Sequence, residues 1–277
     1  MIELPESRVL AAQLNETIKG KRIVETIAGF SPHKFAFFMG EPESYPAKLN
    51  GKIIGETISF GGRTETIVED VCLGFFDGVN LRYFEVGAQI PQKHQLLLRF
   101  EDGSFLSAAV QMYGGLMAYA QGELDDNFYY IVAKEKVDPC SSAFSFPYFM
   151  SLLEDTKKTL SAKAFLATEQ RIPGMGNGVL QDILFLAGIH PKQKIHLLNE
   201  LQMKKLYDTT KETLAKMIHD GGRNTEKDLY GKEGGYQTLL SAKTLKEPCP
   251  KCGGEIVRQA YLGGNVYYCP VCQSFYE

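Results

Sequence analysis

Residues 249–277 read CPKCGGEIVRQAYLGGNVYYCPVCQSFYE, in which Cys249, Cys252, Cys269 and Cys272 form two Cys-x-x-Cys pairs separated by sixteen residues. Each pair turns two thiolates toward one side of an ion, and two pairs close a tetrahedron around Zn²⁺. Four thiolates leave no open position for a catalytic water, so the spacing predicts a single structural Zn²⁺. The other reading of these cysteines is two disulfides in a small secreted module. Ile256, Val257, Tyr261, Val266, Tyr267 and Tyr268 flank Gly263-Gly264-Asn265, the pattern of a β-hairpin turning at the glycines. So short a ribbon has almost no core, and a structural metal contributes on the order of 10 kcal/mol to folding it. The metal holds out a hairpin whose tip must touch something.

The chain has 277 residues, enough for two domains, and its 44% hydrophobic and 23% charged content is that of an ordinary globular protein. No run of 18 apolar residues exists, and the amino terminus lacks a basic segment leading into an apolar one. Neither a membrane span nor a secretion signal is therefore expected, and the expected setting is a cytoplasmic monomer. Cys72 and Cys140, in apolar surroundings, read as buried, inert thiols. The net charge of −3 argues against a generally basic surface, but it is unevenly spread. Residues 1–150 carry 13 Lys and Arg against 19 Asp and Glu, giving −6, and residues 151–277 carry 17 against 14, giving +3. The second half is the better partner for a polyanion.

Val9, Leu10, Leu14 and Ile18 recur at helical spacing before Gly20, predicting an amphipathic helix over residues 6–19. From about residue 21 to 137 short apolar runs alternate with turn signals: Arg22 to Ile27, Lys52 to Phe60, Thr66 to Phe76, Gln95 to Phe100, Phe105 to Met112 and Phe128 to Val132. Asp77-Gly78 and Asp102-Gly103 read as hairpin turns, and the whole as an antiparallel β-sandwich or barrel. A Ser-, Phe- and Pro-containing linker begins at Asp138-Pro139. Helices are expected over 157–167, 178–188 and 197–219, with a Pro-Gly turn at Pro173-Gly174. Gly221 to Ser241 reads as an irregular loop bridging to the zinc hairpin.

Three features, in this order, carry a resemblance: Glu3-Leu-Pro-Glu6 at the start, EQRIPGMGNGVLQDILF at 169–185 between two helices, and the four-cysteine hairpin with Cys-Pro-Val-Cys-Gln at 269–273. Together they resemble the formamidopyrimidine-DNA glycosylase and endonuclease VIII family. The resemblance implies an α+β protein. Its expected parts are an amino-terminal antiparallel β-sandwich over 1–137, a helix-two-turns-helix domain over 138–245 and a carboxy-terminal zinc β-hairpin over 246–277. It also implies damaged double-stranded DNA as partner, bound in a cleft between the halves. The family kinks the duplex, flips the damaged nucleotide out, cleaves the glycosidic bond and then breaks the backbone by β-elimination. Chemistry at a sugar C1′ inside a duplex requires such extrusion, which costs a few kcal/mol and least for a damaged base.

The family's nucleophile is the amine of an amino-terminal proline. A partly neutral amine can attack C1′, and the protonated imine that results is an electron sink. Here the second residue is Ile2, so the attacking group is expected to be the amine of Met1 or, if Met1 is removed, of Ile2, or else a water activated by Glu3. From Met1 the amine stands one residue further out than the family's geometry. Glu3 and Glu6 match the family's acidic pair, with Glu3 as acid/base and Glu6 as support; taken alone, both are also what a helix amino terminus wants. Lys93 resembles a lysine that contacts phosphate beside the lesion, or is an exposed strand-end lysine, and His94 beside it reads as solvent-facing. Met112 stands where the family fills the gap left by the flipped base, although a core methionine also fits. Asn177 matches an asparagine that contacts phosphate at a helix start, and an N-cap is its other reading. Gly264 occupies the position of the family's finger arginine, so one charge-assisted phosphate contact is missing. A DNA-binding relative that recognises damage without cutting is the alternative to a glycosylase.

Overall fold

The structure, a computed structural model, describes every residue except 121, 122, 124–127, 155 and 277, and for Tyr129 the backbone only. It divides into two compact units, Met1–Asp126 with Glu226–Gly234, and Asn127–Thr225 with Gly235–Glu277.

The first unit opens with α1 (Leu4–Thr17), whose Leu4, Leu10 and Leu14 are buried at helical spacing and whose Pro5 lies in the first turn, where a missing N–H costs nothing. Then follow β1 (Ile23–Ala28), β2 (Ala36–Met39), α2 (Tyr45–Leu49), β3 (Ile54–Phe60), β4 (Arg63–Val68), β5 (Val71–Phe84), β6 (Leu96–Phe100) and β7 (Phe105–Ala120). The sheet runs β1-β6-β7-β5-β4-β3 with antiparallel neighbours, and β2 adds to β7 in parallel. Asp102-Gly103 makes the expected tight turn from β6 to β7, with Gly103 at φ +85°.

Asp77-Gly78 does not. It lies inside β5, where the register against β7 shifts between Asp77 and Val79. Asp77 adopts φ 57°, and a Cβ on Gly78 would stand 2.3 Å from the Tyr113 carbonyl oxygen, so the pair forms a bulge at a close strand crossing. Through this bulge β5 changes partners: Val71–Phe76 pair with β4 and the end of β7, and Val79–Phe84 pair with the start of β7. Leu73, Phe75 and Leu116 from one half and Leu81, Leu98 and Phe100 from the other meet in one core with Leu10 and Leu14.

The second unit holds α3 (Phe128–Glu135), α4 (Phe146–Ser151), α5 (Ala162–Ala167), α6 (Asn177–Ala187), α7 (Glu200–His219) and the hairpin of β8 (Val257–Tyr261) and β9 (Gly264–Tyr268). The run Phe128–Val132, expected as a strand, is helical. Tyr130 and Ala133 bury three residues apart, and Lys134 Nζ donates to Tyr130 Oη one turn away, at 2.9 Å. The helix expected from 157 begins at Ala162, because the Ser161 side chain caps it by accepting from Ala164 N. The presumed linker contains α4, capped likewise by Ser145. α6 stops at Gly188, φ +74°, whose N–H bonds back to Leu184 O. Cys72 is buried as expected, but Cys140 is exposed in a turn after Asp138.

Candidate functional site

In the first unit the functional candidates gather around the amino terminus. Ile2 is only 5% exposed, and its backbone N–H donates to Asp77 O at 2.6 Å, so the chain enters α1 pinned to the bulge. This leaves the Met1 amine half-buried and ion-paired with Glu226 Oε2. Tyr113 Oη reaches Met1 Sδ at 3.8 Å. Glu3 is the N-cap of α1 and forms a reciprocal capping box with Glu6, whose Oε2 accepts from Glu3 N at 3.3 Å. Both carboxyls are buried, so the acidic pair is held rigidly beside the terminus.

Asp77 is the electrostatic companion of this cluster. Burial raises its carboxyl above the usual range, against the opposing pull of Arg63 and the Met1 amine. Burial, then Asp77 and Glu3, push the Tyr113 phenol up as well. Arg63, itself buried, lays its guanidinium over Phe76 at 4.0 Å from the ring centroid.

Lys93 is exposed in the loop before β6. His94, expected to face solvent, is 2% exposed: it stacks on Phe30 with centroids 4.6 Å apart, and its Nδ1 lies 2.9 Å from Pro91 O. The loop folds back over it through the Ser31 side chain, which accepts from His94 N. Met112 is 61% exposed, next to exposed Tyr113 in the chain; Phe35 and Phe37, before and on the strand that pairs with β7 from Gly114 onward, are exposed as well. Met112 is not a core methionine.

In the second unit Asn177 is the first residue of α6, after the N-cap Gly176. Its Nδ2 donates to Asn265 O at 2.8 Å in the hairpin, and its Oδ1 is buried without a hydrogen-bond partner. Gln181, one turn on, donates to the same Asn265 O and accepts from Tyr267 N. Gly264 sits directly on Asn177: a Cβ there would be 3.3 Å from the amide carbon and nitrogen. Lys163 of α5, buried, donates to Tyr261 O at 2.5 Å, and Lys192 lies 5.3 Å from the Tyr261 ring centre. The hairpin tip thus touches α5 and α6. Asp182, fully buried, accepts from Leu239 N at 2.9 Å and Leu240 N at 2.8 Å. Burial pushes its carboxyl up to about 6, despite those donors, Tyr236 and Arg223.

The four cysteine sulfurs converge within 4.8 Å of one another. Cys249 Sγ and Cys272 Sγ are 3.8 Å apart, and Cys252 Sγ and Cys269 Sγ 3.5 Å. Metal–sulfur bonds of about 2.3 Å in a tetrahedron place sulfurs about 3.8 Å apart, whereas a disulfide needs about 2.05 Å. The donor set fits a tetrahedral metal ion and not two disulfides. Gln273 fixes this knuckle to the end of α6 by accepting from Cys269 N and donating to Ile189 O at 2.9 Å.

Sequence reasoning did not single out Asp77, Tyr113, Lys163 or Glu226. Asp77 was hidden in a turn signal. Glu226 fell in the segment read as a bridging loop, of which Glu226–Gly234 folds with the first unit. Among the described residues no helix is long and apolar enough to cross a membrane.

Residues 136–228 match the family model for the formamidopyrimidine-DNA glycosylase H2TH domain. The formamidopyrimidine-DNA glycosylase of Mycoplasmopsis pulmonis is 29% identical over 292 residues, spanning 99% of this chain and 98% of its own length. That of Thermus thermophilus is 32% identical over 142 residues, half of this chain. The Lactococcus lactis enzyme, solved in complex with DNA containing an abasic site, superposes with a TM-score of 0.81 at 26% identity, covering 98% of this chain and 99% of that one.

Proposed function

Since the chain belongs to the formamidopyrimidine-DNA glycosylase and endonuclease VIII family, we propose that it excises damaged bases from duplex DNA and opens the abasic product by β-elimination, with the Met1 amine as nucleophile. The observation that carries this reading is the placement of that amine: Ile2 is locked on Asp77, so the Met1 amine meets Glu226 and lies in the field of Asp77, with Tyr113 on the Met1 side chain and Glu3 two residues on. Ile2 N is a poor candidate, being buried and already bonded. Glu3 supplies the proton that opens the sugar ring and moves protons during elimination, and the rigid capping box with Glu6 holds it in place. Met112, exposed on β7, enters the space vacated by the extruded nucleotide. Lys93 offers phosphate an exposed cation.

The second unit supplies grip. Asn177 and the first N–H groups of α6 form an anion site next to the glycines at 174, 176 and 178. Gly264 brings no charge to the hairpin tip, and Lys192 beside Tyr261 supplies one from outside the hairpin. The four thiolates hold one structural Zn²⁺, whose contribution is to fasten the hairpin.

Borohydride reduction in the presence of an abasic-site duplex tests the chemistry. A covalent adduct mapping to Met1 is expected, and its absence removes the lyase step. The one-residue offset of Met1 and the missing finger arginine favour a second reading, a relative that binds damaged DNA without cutting it. Tight, damage-selective binding with neither adduct nor base release establishes that one.

A further inference from the structure

We propose that Glu226 positions the Met1 amine and carries its proton, a role that rests on the reading of that amine as the nucleophile. Glu226–Gly234 is a strap that leaves the helical part of the chain and folds with the first unit. Its attachment is built. Gln13 on α1 grips it from both ends of its amide, donating to Asp228 Oδ2 and accepting from Leu229 N, both at 3.0 Å. Tyr83 N donates to Leu229 O at 2.9 Å, and Arg82 Nη1 to Asp228 O at 2.9 Å. Leu229 is fully buried in the core beside α1 and the sheet. Gly234 N closes the strap on Glu226 O. What this anchoring delivers is one carboxylate, whose Oε2 is in direct contact with the Met1 amine.

The surroundings separate the roles. Asp77 and Arg63 face one another from β5 and β4, Tyr113 meets the Met1 side chain from β7, Glu3 is engaged in its cap, and Arg82 lies toward Glu226. Before attack the ammonium must give up a proton, and Glu226 is in contact to take it. The freed lone pair forms the N–C1′ bond while the C1′=O π pair moves onto oxygen. After transfer of a second nitrogen proton to that oxygen, the carbinolamine stands. Glu226 then returns its proton to the same oxygen, the C1′–O bond breaks, and water leaves as the nitrogen lone pair closes the protonated imine. The sum is ammonium plus aldehyde giving iminium plus water, with Glu226 regenerated.

The test uses the full-length protein with Met1 confirmed by intact mass, as wild type, Glu226→Gln, Glu226→Asp and Glu226→Ala. Without DNA, acylation of the Met1 amine at a fixed pH is followed by peptide mass spectrometry and is expected to rise at least threefold in Glu226→Gln. With an abasic duplex, single-turnover borohydride trapping is expected to fall at least tenfold in Glu226→Gln and Glu226→Ala and to recover in part in Glu226→Asp. Added formate is expected to restore Glu226→Ala several-fold, which a merely structural loss does not allow. Unchanged acylation together with undiminished trapping overturns the proposal, as does a mature chain lacking Met1. Reduced trapping that neither formate nor Glu226→Asp restores overturns the proton-carrying role. A wild type that gives no adduct but shows the acylation change removes the lyase reading and leaves only the contact.

Discussion

At the scale of single residues, the first few positions serve fold and chemistry at once. Glu3 caps α1, and Gln can also accept at an N-cap, so Glu3→Gln is expected to cost about 1 kcal/mol or less in stability. If the carboxyl moves protons as proposed, cleavage of an abasic duplex falls about 100-fold. Cleavage at the wild-type rate with an unchanged melting temperature would reduce Glu3 to a cap. Asn177 poses the matching question in the second unit. Its Nδ2 holds Asn265 O while its buried Oδ1 has no partner, so Asn177→Ala loses one hydrogen bond, about 1 kcal/mol, and the proposed phosphate contact. DNA affinity is expected to drop about tenfold, and because the amide is neutral, the slope of affinity against salt stays as it was. A change in slope would place the contact elsewhere.

Elements were legible in the sequence where one local pattern decides them. α6 has apolar periodicity and a left-handed Gly188 stop, and the hairpin has glycines between two short apolar and aromatic runs. The Asp77 bulge was not legible, because a partner distant in sequence decides it, and α3 was not, because a short apolar run reads equally as strand or helix. A tight Asp-Gly pair reads as a turn until Tyr113 is seen crossing it. The site was legible through its motifs and failed where a contact comes from afar, as Glu226 does. Asp182 shows how an element can hide a titrating group. Burial raises its folded pKa to about 6, against an unfolded value near 4. The folded state therefore binds this proton more tightly. The stability it contributes is full below about pH 4 and is lost as pH rises through 6, on the order of 3 kcal/mol in all. Asp182→Asn is expected to flatten that component and to cost about 1–3 kcal/mol, since its amide cannot accept from both Leu239 N and Leu240 N. Calorimetry from pH 4 to 7 on both proteins measures it, and parallel curves would remove Asp182 as the source.

At the scale of the molecule, the carboxy-terminal hairpin rests on a different source of stability from the first unit and from the helices of its own unit, whose Phe149, Phe165, Ile183, Leu206 and Leu214 are fully buried. The first unit has a continuous apolar core fed by α1, both halves of the sheet and the strap's Leu229. The carboxy-terminal hairpin has a small cluster of Phe185, Leu240, Cys249, Ile256 and Cys269, in which two of the five residues are metal-ligand candidates. Removing the ion therefore takes away the centre of that cluster. Lys163, Asn177 and Gln181, which hold the tip, and Gln273, which holds the knuckle, then lose an ordered partner. Cys252 is exposed, so a chelator reaches the site from that side. Chelation is expected to melt the hairpin, lower the transition of the second unit and leave that of the first in place, since none of the four sulfurs belongs to it. Hydrogen exchange resolves this directly: protection is lost over 249–276 and at the start of α6, and is retained in β5 and β7. DNA affinity is expected to fall with it by at least tenfold, because Asn177 depends on the hairpin for its orientation. Full affinity in chelated protein would mean that the grip on DNA does not pass through the metal-held tip.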